Sequence, residues 1–234
     1  RHVASWRDQV PSAFADRITL ADHQHAADYT LAKGTFTKVD SAIGLVVSAL
    51  ILFGGLSRLW DVTLPLADTP ILREVALVAL LSLVTGVVSV PLSYYSTFNV
   101  EEKFGFNKTT KTTFWIDLAK DSLLSAALVL PLAALVFWLM RSAGPLWWLY
   151  AWLVFLGFQL LMLALYPTFI APLFNKFAPL DSGETKSAIE GLLKRTEFES
   201  KGLFVMDGSK RSAHGNAYFT GFGKGKRIVF FDTL

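Results

Sequence analysis

The chain is 234 residues long, 53% of them hydrophobic and only 18% charged, with a mean hydropathy of +0.43, against roughly 25% charged in an ordinary soluble domain. That balance defines an integral membrane protein. A net charge of +3, with no basic stripe interleaved with aromatics, argues against nucleic acid as a partner, and the absence of cysteine excludes disulfides, thiolate zinc sites and cysteine nucleophiles.

Residues 1–40 are polar, with charges distributed rather than clustered, and Pro11 followed by Ile18, Ala21, Ala26, Tyr29 and Leu31 predicts a helix after a turn. His23 and His25 fall here, and their i, i+2 spacing turns them about 200° apart on a helix, unable to share a metal. They read as exposed helix residues. The chain begins with Arg1 rather than Met and shows no signal-peptide pattern, so it reads as a piece of something longer.

Ser41 to Ser57 carries no charge and is about 17 residues long, the lower limit for a helix that spans a bilayer. Arg58, Trp60 and Asp61 mark an interface. After a loop with Pro65 and Pro70, Val75 to Val100 is a second uncharged run, in which Ser82, Thr85, Gly86, Ser89, Pro91 and Ser93 read first as a helix-packing stripe and second as a cavity lining. A charged segment, Asn99 to Asp121, follows as a loop, with Phe104-Gly105-Phe106-Asn107 as a turn carrying two aromatic anchors. Ser122 to Met140 is the third span despite Pro131, and the fourth runs from Leu146, with Trp147, Trp148 and Trp152 at its mouth, to about Leu165. Lys and Arg concentrate before the first span, between the second and third, and after the fourth. The positive-inside rule therefore places those segments in the cytoplasm.

Beyond Pro167 the pattern becomes that of a small α/β piece of about 60 residues. A helix is expected from Ser182 or Gly183 through Leu193, and Gly202 to Met206 reads as a strand. Asn216 to Phe222 and Arg227 to Phe231 read as a hairpin, with the turn at Gly223-Lys224-Gly225-Lys226 and a polar lead-in from Ser209 to Gly215. From these residues alone two readings stand: an ordinary surface hairpin with a solvated basic loop, or a strand edge offered to a partner peptide.

Several ordered motifs resemble one family. Glu101-Glu102-Lys103-Phe104-Gly105-Phe106-Asn107, Tyr166-Pro167 with Ile170-Ala171-Pro172-Leu173-Phe174, Gly208-Ser209-Lys210-Arg211-Ser212 with His214 and Asn216-Ala217-Tyr218, and Asp232-Thr233-Leu234 look like the membrane-integrated type 1 CAAX prenyl proteases, intramembrane zinc metallopeptidases. The resemblance covers nearly the whole chain, Leu52-Phe53-Gly54-Gly55 and Leu59-Trp60 included. It implies a mainly α fold, four spans forming part of a helical barrel, with the small α/β piece on the cytoplasmic side. It also implies zinc as cofactor, a peptide or protein substrate that is prenylated or otherwise membrane-associated, and the lipid bilayer as surroundings.

By the same match, Asn216, Ala217 and Tyr218 align substrate backbone by strand addition, and His214 stands in the active-site wall as a candidate oxyanion stabiliser. Gly215 stands where the family pattern more often has Ser. The family's zinc motif, H-E-x-x-H, is absent: the four histidines are His2, His23, His25 and His214, none in an i, i+4 pair. The chain alone is therefore expected to hold no metal and to be inactive. The leading expectation is a segment of a zinc metalloendopeptidase, divided into a polar lead-in (1–40), a four-helix transmembrane region (41–170) and the start of a peptidase domain (171–234); the alternative is a catalytically inactive membrane scaffold or truncated paralogue.

Overall fold

A threonine opens each of the three longest helices. In the computed structural model, which describes residues 2–66, 68–221 and 225–234, Thr19, Thr69 and Thr110 have extended backbone, and their side chains accept the N–H groups of Asp22, Leu72 and Thr113. Each such cap supplies a partner for an N–H that the helix itself leaves unpaired, worth about 1 kcal/mol. After a short helix α1 (His2–Ser5), the chain forms α2 (Leu20–Leu50), α3 (Leu56–Thr63), α4 (Pro70–Tyr95), α5 (Lys111–Ser142), α6 (Trp147–Leu165), α7 (Ala171–Phe174) and α8 (Glu184–Arg195). Pro70 at the first turn of α4 fits because its missing N–H is one no helix bond would use.

Four stretches, Leu20–Thr63, Pro70–Glu101, Lys111–Ser142 and Gly144–Phe174, are long and apolar enough to cross a membrane. Their apolar side chains point outward: Leu45 and Leu52 are 72% exposed and Phe53 90%, a surface that lipid rather than water can cover. The first expected span differs from the observed one at both ends. Its helix begins at Leu20, well inside the polar segment, and it breaks at Phe53-Gly54, where Gly54 takes φ +136°, a conformation a side chain would resist. The loop expected from Asn99 to Asp121 is also shorter. The helical path of α4 continues as a wide turn through Ser96–Glu101, and α5 starts again at Lys111. At about 1.5 Å per residue the 32 residues of α5 extend roughly 48 Å, beyond the ~30 Å of a hydrocarbon core. The charged residues Lys111, Asp117, Lys120 and Asp121 are thus helical rather than loop.

The structure divides into two compact units, Arg1–Asn107 with Leu128–Ala134, and Lys108–Ala127 with Leu135–Leu234. In the first, the turn after α4 carries the two aromatic anchors expected of it. Gly105 adopts φ +76°, and the N–H groups of Gly105 and Phe106 donate to the carbonyls of Glu102 and Glu101 at 3.0 Å. Phe104 and Phe106 pack against the Tyr29 ring at 5.3 and 4.7 Å between centroids. The Tyr29 hydroxyl faces the Glu101 carboxylate at 3.0 and 2.9 Å, and Lys33 donates to Glu101 at 3.2 Å. His23 and His25 are separately engaged, the first by the Trp6 carbonyl at 2.9 Å and the second edge-on to Phe104.

The second unit holds a four-stranded mixed sheet in the order β1-β2-β4-β3, made of β1 (Phe177–Pro179), β2 (Gly202–Met206), β3 (Ala217–Thr220) and β4 (Arg227–Phe231). Sequence reasoning found β2 and β4 with these bounds, and began β3 one residue early, at Asn216, and carried it past Thr220 into Gly221; β1, three residues at an edge, gave it no signal. The expected turn residues Gly223 and Lys224, with Phe222, lie outside the described residues. The consequential difference is the place of β4. It pairs antiparallel with β3 and parallel with β2, so it is central, and Val229 at its middle is 2% exposed. The hairpin is therefore one margin of a larger sheet.

Candidate functional site

The site is built where two of the sequence motifs meet. The strand β2 ends at Met206, and the chain turns through a 3₁₀ segment, Gly208–Lys210, whose Gly208 carbonyl accepts the N–H groups of Arg211 and Ser212 at 3.0 and 3.1 Å. Asp232, just past β4, holds this turn: its carboxylate accepts the Ser209 N–H at 2.7 Å and the Ser209 hydroxyl at 2.5 Å. The Ser209 hydroxyl, with help from backbone N–H groups, keeps the Asp232 carboxyl below the usual carboxylate range, against a smaller opposing effect of burial. Gly208 itself is buried against the Phe231 ring.

From this turn the lead-in runs through Ser212 to Asn216 into β3. The His214 N–H donates to Ser212 Oγ at 3.1 Å and its carbonyl accepts the Thr233 hydroxyl at 2.9 Å, so its backbone is fixed while its side chain is half-buried. A Cβ at Gly215 would stand 3.3 Å from both Leu234 Cδ1 and the Thr233 carbonyl, tight enough that a side chain there requires Leu234 to yield. Asn216 is exposed, and its Oδ1 accepts the Ala217 N–H at 2.8 Å.

The register of β3 decides which of its groups are spoken for. Ala217 lies opposite Phe230 and Tyr218 opposite Val229, and one step earlier the Phe231 N–H donates to the Asn216 carbonyl at 2.9 Å. In an antiparallel pair hydrogen-bonded and non-bonded positions alternate. Tyr218, Thr220 and the Asn216 carbonyl therefore face β4, while the backbone groups of Ala217 and Phe219 point away from it, the Ala217 N–H being taken by Asn216 Oδ1. Phe219 was not singled out by sequence reasoning. The signal that could have found it is this alternation, which needs the pairing partner to be known.

Tyr218 lies on the opposite face of β3 from Ala217 and Phe219, beside Val229, with its ring edge-on to Phe231 at 6.3 Å. Burial pushes its hydroxyl pKa up, and Tyr166 at the end of the fourth span adds to the rise. On the same face the Arg227 guanidinium lies over the Phe204 ring and donates to the Pro167 carbonyl at 3.3 Å.

Arg211 does most to anchor the lead-in. Its Nε and Nη2 donate to the two carboxylate oxygens of Asp117 at 2.7 and 3.0 Å, Nη1 to Asn175 Oδ1 at 2.8 Å and Nη2 to the Phe174 carbonyl at 2.7 Å. Its own carbonyl accepts the Lys108 N–H at 3.0 Å and the Thr109 hydroxyl at 3.1 Å. Both partners of the ion pair are about three-quarters buried. No sequence pattern pointed to this, because Asp117 is 94 positions away.

Among the described residues no group of three or more His, Cys, Asp or Glu side chains is placed to hold a metal. Among the described residues, His214 therefore belongs to no three-donor group of the kind a zinc centre needs.

Apolar helices of spanning length joined to a small mixed sheet with β1 and β3 at its two margins define a multi-span integral membrane protein. Residues 1–176 match the family model described as CAAX prenyl protease N-terminal, five membrane helices, and residues 179–234 match that of peptidase family M48; the chain belongs to the CAAX prenyl protease family. It is 38% identical to the CAAX prenyl protease 1 homolog of Dictyostelium discoideum over 97% of this chain and 55% of that protein, and 37% identical to the Homo sapiens homolog over 100% and 51%. The crystal structure of S. mikatae Ste24p superposes with a TM-score of 0.88 at 34% identity, covering 98% of this chain and 56% of that one. The chain thus spans about half the length of the curated relatives it matches.

Proposed function

We propose that this chain is the N-terminal and central part of a membrane-embedded zinc metalloendopeptidase that cleaves near the C-terminus of prenylated C-a-a-X or other membrane-associated peptides. The observation that carries the reading is the outer margin of β3, with the Ala217 carbonyl and the backbone groups of Phe219 directed away from β4, in a chain of this family. An extended peptide can add to such a margin as a further strand, held by main-chain bonds that do not depend on its sequence. Asn216, exposed at the entry, orients the incoming backbone through its side chain; Ala217 supplies main-chain pairing; Tyr218 supports the strand from its inner face. His214, its backbone fixed by Ser212 and Thr233, contributes to the wall in which the tetrahedral oxyanion forms. The zinc is held by residues other than these, and this chain's part is to bind and align.

The division into a polar lead-in (1–40), a transmembrane region (41–170) and the start of the peptidase domain (171–234) is supported by the change of family model after residue 176 and by the first strand at Phe177. The distribution of Lys and Arg supports placing the long loops and the sheet in the cytoplasm. The test is Asn216→Ala in the full-length enzyme, assayed on a farnesylated C-a-a-X peptide. Cleavage should fall with zinc content unchanged; unchanged turnover would remove Asn216 from substrate alignment, and an inactive wild type would leave the scaffold reading.

A further inference from the structure

Of the Gly208–Ser212 motif only Ser212 enters the alignment just described, yet Arg211 makes four side-chain hydrogen bonds, to Asp117, Asn175 and the Phe174 carbonyl. Three segments converge on it. Asp117 belongs to the charged N-terminal part of α5, Phe174 and Asn175 lie at the end of the fourth span, and Lys108 and Thr109 lead into α5. The lead-in that starts at Ser212 and ends in β3 hangs from this point. His214 is three positions on and Asn216 five.

We propose that Arg211 is the positioning residue of the strand-edge site: by clamping the ends of α5 and of the fourth span to the start of the lead-in, it fixes where His214 and the outward backbone groups of Ala217 and Phe219 stand. The inference rests on the peptidase reading above. The chemistry requires arginine, because only a planar fork can face both oxygens of Asp117 while its remaining N–H groups reach the Phe174 carbonyl and Asn175. A lysine keeps the charge and could meet one partner at a time. The pair is far from the exposed ion pairs that contribute little, since Asp117 and Arg211 are 23% and 24% exposed. A free lead-in would leave β3 paired to β4, so substrate could still bind along it. It would do so out of line with the reacting centre, and a displacement on the order of 1 Å costs about a hundredfold in rate.

The experiment uses the full-length, zinc-loaded enzyme with Arg211→Lys, Asp117→Asn and the two combined. Cleavage of a farnesylated C-a-a-X peptide is measured per zinc-loaded molecule. In parallel, nitroxide labels at Phe219→Cys on β3 and Leu123→Cys on α5, in an otherwise cysteine-free background, report their separation. Each single variant should lower kcat by about tenfold or more with KM changed far less, and the double should fall no further than the worse single, as expected of one shared interaction. The label separation should shift or broaden in Arg211→Lys. A merely structural role predicts loss of zinc-loaded protein at wild-type kcat per molecule, with an unmoved separation; either result overturns the proposal. Failure of the peptidase reading is distinct, because it shows as a wild type that does not cleave.

Discussion

Replacing Gly208 by alanine tests whether the two motifs at the C-terminal sheet are held as closely as the structure has them. A Cβ at this position would lie 2.7 Å from Phe231 Cδ2, 3.1 Å from Cγ and 3.4 Å from Cβ, and carbon atoms rest at about 3.5–4.0 Å. The backbone cannot simply retreat, because the Gly208 carbonyl holds two N–H groups and the adjacent Ser209 is pinned to Asp232. The Phe231 ring must move instead, toward or away from Tyr218, whose ring it meets edge-on. Overpacking of this kind costs about 1–3 kcal/mol. All seven tryptophans lie between Trp6 and Trp152, so indole fluorescence would not report on the sheet. Amide hydrogen exchange of the β2 and β4 backbones does, and 1–3 kcal/mol corresponds to exchange about 5- to 150-fold faster. The control is Gly191→Ala in α8, where a Cβ meets nothing within 4 Å and the expected effect is a stabilisation of about 0.5–1 kcal/mol. Unchanged protection of β4 in Gly208→Ala would refute the close approach.

Two further outcomes follow from the same contacts. Ser209→Ala should raise the Asp232 carboxyl back toward its ordinary value, read by carboxyl NMR. Because that carboxyl is lowered in the folded chain, its stabilising contribution is present above the unfolded value and lost as pH falls through the folded one, so the exchange difference between variant and parent should vanish on acidification. Tyr29→Phe, which keeps the packing against Phe104 and Phe106 and removes the hydroxyl facing Glu101, should cost about 0.5–1.5 kcal/mol or somewhat more, since the partner is a carboxylate. It should speed exchange in the 101–107 turn; unchanged exchange there would show that the aromatic packing alone holds it.

The sequence by itself determined the class of protein, the number of apolar runs, the Phe104–Asn107 turn, and the strands at Gly202–Met206 and Arg227–Phe231. These are local properties: the transfer of side chains to lipid, the φ > 0 that Gly105 provides, the β-branched and aromatic content of a strand. It divided α2 at Asp40 and began α5 too late, after Asp121, for a physical reason. Hydropathy reports where lipid meets a helix, and the backbone ladder of α2 or α5 continues past that point as long as each N–H finds a carbonyl four residues back. What only the tertiary structure decided is pairing. That β4 is central, that β3 is a margin whose Ala217 and Phe219 face outward, and that Arg211 reaches Asp117 all depend on which distant segment lies alongside, and the cost of closing a loop of 94 residues leaves no mark on either of its ends.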